Sequence, residues 1–133
     1  MSRKHLVESR GMTVKSKSFR ELIVWQKAHQ LTLGIYSITN SFPKEEMYGL
    51  TSQMRRAAVS VSANIVEGYK KKGKLDKARF YNISEGSLNE VEYFLILSKD
   101  LKYIDKDYDK LMELKVEVAK LLNAYASAQK ANM

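Results

Sequence analysis

The segment from Arg20 to Pro43 reads RELIVWQKAHQLTLGIYSITNSFP, and its apolar spacing decides the fold class. Val24, Ala28, Leu31, Ile35, Ile38 and Phe42 recur at steps of three and four residues, which lays one apolar stripe along an α-helix. Pro43 closes the run, because the residue before a proline is pushed out of the helical region. The spacing predicts a helix over 20–41. Working outward, the same period recurs three more times. A second helix is expected over 47–69, with Leu50, Met54, Ala57, Val61 and Ile65 (or Asn64) on its stripe, and Gly68 and Gly73 marking its end. A third is expected over 75–102, carrying Phe80, Ile83, Ser87, Val91, Phe94, Leu97 and Leu101. A fourth is expected over 106–129, carrying Leu111, Leu114, Val118, Leu121, Tyr125 and Ala128, with Asp105 or Asp107 at its N-terminus. No strand is required anywhere and the connections are short. The sequence therefore predicts an all-α chain, an antiparallel up-down-up-down four-helix bundle over residues 19–133.

Residues 1–18 precede that bundle as a flexible basic arm with few large apolar residues. They include no apolar run that would serve as a signal core, and no stretch in the chain is long and apolar enough to span a bilayer. A cytoplasmic protein with no membrane association is expected. Cysteine is absent, which excludes disulfides, thiolate catalysis and cysteine-bound metal.

The net charge is +8 over 133 residues, and it is unevenly spread. Residues 1–79 sum to +10 and residues 80–133 to −2. The densest cluster is Lys70, Lys71, Lys72, Lys74, Lys77 and Arg79, at the expected connection between the second and third helices. Such a cluster suits phosphate contacts, although a solvated connection would look the same. Arg55 and the basic arm are secondary candidates. Tyr69 and Tyr81 flank the cluster, either to stack on unpaired bases or to pack at helix ends.

Catalytic patterns are missing. The two histidines, His5 and His29, have no partner at metal-binding spacing. The segment Gly68–Lys74 satisfies G-x-x-x-x-G-K, but Leu75 stands where a phosphate loop needs Ser or Thr, and the segment follows a helix instead of a strand. The serines have no histidine base nearby, and no Glu-x-x-His supports a di-iron site. No enzymatic activity, metal or cofactor is expected. Arg56, Asn64, Glu67, Ser87 and Glu90 fall at or beside expected core positions, so an interhelical polar network that fixes helix register or the subunit interface is expected of them. Leu22, Trp25, Leu33 and Tyr36 on the first helix, and Tyr81, Leu88, Tyr93 and Leu95 on the third, fall off the single stripe. That surplus apolar surface points to a homo-oligomer.

Phe19–Ala28 (FRELIVWQKA), Phe42–Ala58 (FPKEEMYGLTSQMRRAA), Asn64–Gly68 (NIVEG) and Gly86–Glu92 (GSLNEVE) together resemble the four-helix-bundle proteins encoded by 23S rRNA intervening sequences, the S23-type family. The resemblance covers residues 19–104. Ser62 stands where that family commonly has proline, and Val91 replaces its usual leucine. The resemblance implies a bundle that assembles as a ring, commonly a homopentamer, without catalytic activity. More distantly, the chain is similar to accessory variability determinants of diversity-generating retroelements, in which a basic pentamer binds a reverse transcriptase and its RNA. The function expected is binding of nucleic acid, RNA first, through phosphates. A protein–protein adaptor that docks a reverse transcriptase or another RNA-processing enzyme is the alternative.

Overall fold

The computed structural model describes residues 17–131, so nearly all of the predicted arm, residues 1–16, lies outside the described residues. Four α-helices account for most of the rest: α1 (Ile23–Thr39), α2 (Leu50–Lys70), α3 (Lys74–Asp100) and α4 (Tyr108–Ala131). Short 3₁₀ turns occupy Phe19–Glu21 and Lys44–Glu46, and there is no strand among the described residues. The chain is all-α, with four helices around one core, as a four-helix bundle requires.

The stripes predicted for α1 and α2 are buried in full: Val24, Ala28, Leu31, Ile35, Ile38 and Phe42, then Leu50, Met54, Ala57, Val61 and Ile65. Gly68 differs from expectation. It does not end α2, which continues to Lys70, and it is buried against the Tyr81 ring. A Cβ built there would stand 2.5 Å from Tyr81 Cε1, so glycine is present for close approach rather than for termination.

The stripe predicted for α3 is only partly in phase. Ser87 and Val91 are buried as expected, but Ile83 and Leu101 are exposed, Phe80, Phe94 and Leu97 are half-buried, and the core face also carries Ala78, Tyr81, Ser84, Leu88, Leu95 and Ser98. The cause is that small hydroxylated residues serve as core here. Ser84 is fully buried and its Oγ donates to the Val61 carbonyl of α2 at 2.7 Å, while Ser98 Oγ donates to the Phe94 carbonyl at 2.7 Å. A satisfied buried hydroxyl is tolerated, and its small size lets two helices approach. Tyr81, Leu88 and Leu95, expected as surplus surface, are thus core, as is Leu22. On α4, Leu111 and Val118 are buried as expected, but Leu122 and Ala126 replace Leu121, Tyr125 and Ala128 as the innermost residues.

Neighbouring helices pack along their lengths, and α1 also packs on α4. Partner numbers fall as residue numbers rise. Thr32 meets Ser62 and Thr39 meets Arg55; Ser84 meets Val61 and Ser98 meets Met54; Glu92 meets Lys115 and Tyr81 meets Tyr125. Between α1 and α2, Glu46 caps α2 with its carboxylate: Oε1 accepts from the Leu50 N–H at 3.2 Å and Oε2 from the Tyr103 hydroxyl at 2.9 Å. After α3 the chain reverses at Lys102, which has φ 66°. The Lys102 and Tyr103 amides donate to the Lys99 and Ser98 carbonyls, each at 2.9 Å, closing a left-handed helix cap.

Candidate nucleic-acid interface

Residues 71–73 join α2 to α3, which gathers Lys70, Lys71, Lys72, Lys74, Lys77 and Arg79 at one end of the molecule. Their local roles differ. The last carbonyls of α2 lack helical partners and carry the negative end of the helix dipole. Lys77, reaching back from the first turn of α3, donates from Nζ to the Gly68 carbonyl at 3.1 Å and the Tyr69 carbonyl at 2.8 Å. It is a helix cap before it is anything else. Lys71 is half-buried, 3.8 Å from Glu67 and 5.0 Å from the Phe80 ring centre. Arg79 lies 3.7 Å from Asp76 and 4.5 Å from the same ring, with its side chain largely in solvent. Lys70, Lys72 and Lys74 are exposed.

The same end collects cations from the chain's beginning. Lys70 Nζ lies 5.9 Å from the Phe19 ring, which sets the 3₁₀ turn beside the end of α2 and brings exposed Lys17 and Arg20 there. No local pattern in the sequence signals this, because the juxtaposition depends on Phe19 packing onto Trp25, ring centres 5.1 Å apart. Glu21, Glu67 and Asp76 are the carboxylates on these same segments, against eight cations, so the end is strongly positive. Gly73, which precedes α3, offers no side-chain cap, so the first amides of α3 face that end without a capping side chain.

Arg55 is not brought to this end. It lies on the second turn of α2, at the opposite end, where Nε donates to Thr39 Oγ1 at 2.9 Å and Nη2 to Asn40 Oδ1 at 3.1 Å. Its guanidinium also sits 4.7 Å from the Tyr36 ring centre. These bonds pin the end of α1 to α2 and set Arg55 apart from the lysine cluster. Tyr81 is 2% exposed and packed on Gly68 and Tyr125, so it cannot receive a base. Tyr69 is half-buried with Lys77 Nζ 5.7 Å from its ring centre.

The expected polar network is only partly assembled. Ser60 and Ser87 share a hydrogen bond at 2.7 Å between α2 and α3, and Asn64 Nδ2 donates to Ser60 Oγ at 3.1 Å. Glu67 pairs with Lys71, just past the end of its own helix, while Arg56 and Glu90 are exposed on the rim of the α2–α3 groove. Charged groups stay in water here because burial would cost more than their attraction returns. The Ser60 and Ser87 hydroxyls make the interhelical link instead, and the Asn64 amide braces Ser60 from its own helix.

Among the described residues no group of His, Cys, Asp and Glu is placed to hold a metal, and no helix there is long and apolar enough to cross a membrane. The Tyr103 phenol has a displaced acidity: its hydrogen bond to Glu46, then burial, then the Glu46 and Glu45 charges, hold it above the ordinary 10.0.

Residues 20–124 match the family model described as 23S rRNA-intervening sequence protein. The chain is also similar to a protein of unknown function from the S23 ribosomal protein family of Bacteroides thetaiotaomicron VPI-5482, known from its crystal structure. The TM-score is 0.72 at 24% identity, over 79% of this chain and 96% of that one, a likeness that shows the fold. No curated protein matches the chain.

Proposed function

The chain belongs to the 23S rRNA-intervening sequence protein family, and from that premise we propose a non-enzymatic, cytoplasmic RNA-binding bundle that grips phosphates with its α2–α3 end. The observation that carries this reading is the grouping of Lys70, Lys72, Lys74 and Arg79 with Lys17 and Arg20, cations from two distant parts of the sequence on one surface. Lysine–phosphate contacts position a strand without reading its bases, so little sequence preference is expected. The falling partner numbers between neighbouring helices support an up-down-up-down topology. A ring of copies, a pentamer by resemblance, would repeat the cationic end around an axis and add weak contacts through effective concentration.

The test is fluorescence anisotropy of a labelled single-stranded RNA across a salt series. About five neutralised phosphates at roughly −0.7 each give a slope of about −3.5 for log K against log salt. Lys70→Ser with Lys72→Ser should weaken binding and flatten that slope by about 1.4. A salt-independent affinity, or binding unchanged in this double variant, would refute the reading. Recovery of one stoichiometric protein partner from nuclease-treated lysate, with no RNA affinity in the purified chain, would replace it with an adaptor such as a reverse-transcriptase subunit.

A further inference from the structure

Two surfaces of this chain complement each other, and both lie toward the end of the bundle away from the lysine cluster. The first is a groove between α1 and α2, under the connection that joins them. Tyr48 is 93% exposed and Met47 53%, and they stand with Tyr36 and Val59 around an open depression of about 600 Å³. The depression continues past Ser52 and Ser60 into the cleft between α2 and α3, where the one carboxylate is Glu90. An exposed patch of tyrosine, methionine and arginine has the composition of an interface centre, not of an ordinary surface. Arg55 is already held by Thr39 and Asn40, so one wall is rigid before any partner arrives. Arg56 is exposed and makes no ion pair among the described residues.

The second surface is the outer face of α4. Asp109, Glu113 and Glu117 follow one another at four-residue spacing, beside Met112 and half-exposed Val116. Like charges at this spacing repel along a helix. Of the three, Glu117 alone is paired among the described residues, with Lys27 at 3.2 Å. Asp109 and Glu113 are left as an acidic pair next to apolar side chains.

We propose that the Arg56–Tyr48 groove of one copy receives the Asp109–Glu113 face of α4 from a second copy. Arg56 pairs with the carboxylates, and Tyr48 and Met47 pack on Met112 and Val116. The two faces differ, so the contact is head-to-tail and passes from copy to copy, as closure into a ring requires. This inference rests on the assembly part of the function proposed above and names its surfaces.

Sedimentation velocity on the full chain, with Arg56→Glu, Glu113→Arg and the two combined, tests it. The wild type is expected as an oligomer. Each single reversal should weaken association by at least about tenfold, since a like-charge pair now faces across the contact. The combined exchange should restore assembly, which a general loss of folding would not do. Circular dichroism of the exposed-site variants checks that the helices persist. A monomeric wild type, single variants of unchanged size, or no rescue in the combined variant would overturn the proposal. Running Lys70→Ser with Lys72→Ser beside these samples, in sedimentation and in RNA anisotropy, separates the two readings, because loss of RNA binding in that variant leaves assembly through the α4 contact intact.

Discussion

Replacing Gly68 by alanine sets two opposing effects against each other. In an open helix interior, glycine to alanine stabilises by about 0.5–1 kcal/mol through backbone entropy. At Gly68 the added Cβ meets the Tyr81 ring, with Cε1 at 2.5 Å, Cδ1 at 2.8 Å and Cζ at 3.1 Å. Carbon pairs prefer about 3.5–4.0 Å, so the ring or the helix must retreat by roughly 1 Å. Tyr81 is buried and backed by Tyr125, ring centres 6.2 Å apart, so the ring has little freedom to move. Overpacking of this kind costs about 2–3 kcal/mol, which leaves a net destabilisation of about 1–2 kcal/mol. At about 3–4 °C per kcal/mol the melting temperature should fall by roughly 3–8 °C. Gly86 supplies the internal control. It is also in a helix, α3, but exposed, with nothing within 4 Å of its built Cβ, so Gly86→Ala should stabilise by about 0.5–1 kcal/mol. Urea unfolding at one fixed protein concentration measures both, and the fixed concentration removes any contribution from assembly. In a Tyr81→Leu background the Gly68 substitution should lose most of its penalty, a coupling of about 1 kcal/mol or more. If Gly68→Ala instead stabilised as much as Gly86→Ala, the close approach of α2 and α3 at Tyr81 would be refuted.

Lys102→Gly should stabilise by about 1 kcal/mol, seen as a raised urea midpoint, since a residue with a side chain is held at φ 66° there. Lys77→Met keeps the side-chain stem but removes the donors to the Gly68 and Tyr69 carbonyls, and should cost about 1 kcal/mol of stability. Its effect on RNA affinity should be smaller than that of the Lys70 and Lys72 substitutions, which in turn should leave the melting temperature nearly unchanged. Because the Tyr103 phenol is held above 10.0 in the folded chain, its contribution is complete below the unfolded phenol pKa. It is lost as pH rises through the folded value. Ultraviolet titration should show a late-ionising phenol that is absent in Tyr103→Phe, whose stability should fall less steeply with alkaline pH.

The fold class was legible because Val24 to Phe42 and Leu50 to Ile65 carry unbroken apolar stripes, and the structure buries every one of those residues. On α3 the same method places only Ser87 and Val91 in the core, for a physical reason: Ser84 and Ser98 count as polar in a periodicity, yet each is buried with its hydroxyl bonded to a carbonyl. Large apolar residues such as Ile83 and Leu101 then draw the stripe to the solvent side. The basic end was visible as a lysine run, but charge alone did not separate Lys77, which caps a helix, from Lys70 and Lys72, which do not. Nor could it separate Arg55, bonded to Thr39 and Asn40, or add Lys17 and Arg20, which arrive by tertiary packing of Phe19.

The hydroxymethyl of Ser84, seated on the Val61 carbonyl, also limits what the α2–α3 pair tolerates in its chain length. Sliding α3 by one turn, about 5.4 Å, would place Leu88 or Phe80 where only a hydroxymethyl fits, and leave that carbonyl beside hydrocarbon. Insertions between Lys70 and Lys74 are therefore absorbed by a longer bend and not by slippage of the rods. The bend at the cationic tip can lengthen or shorten while the helices beneath it keep one alignment.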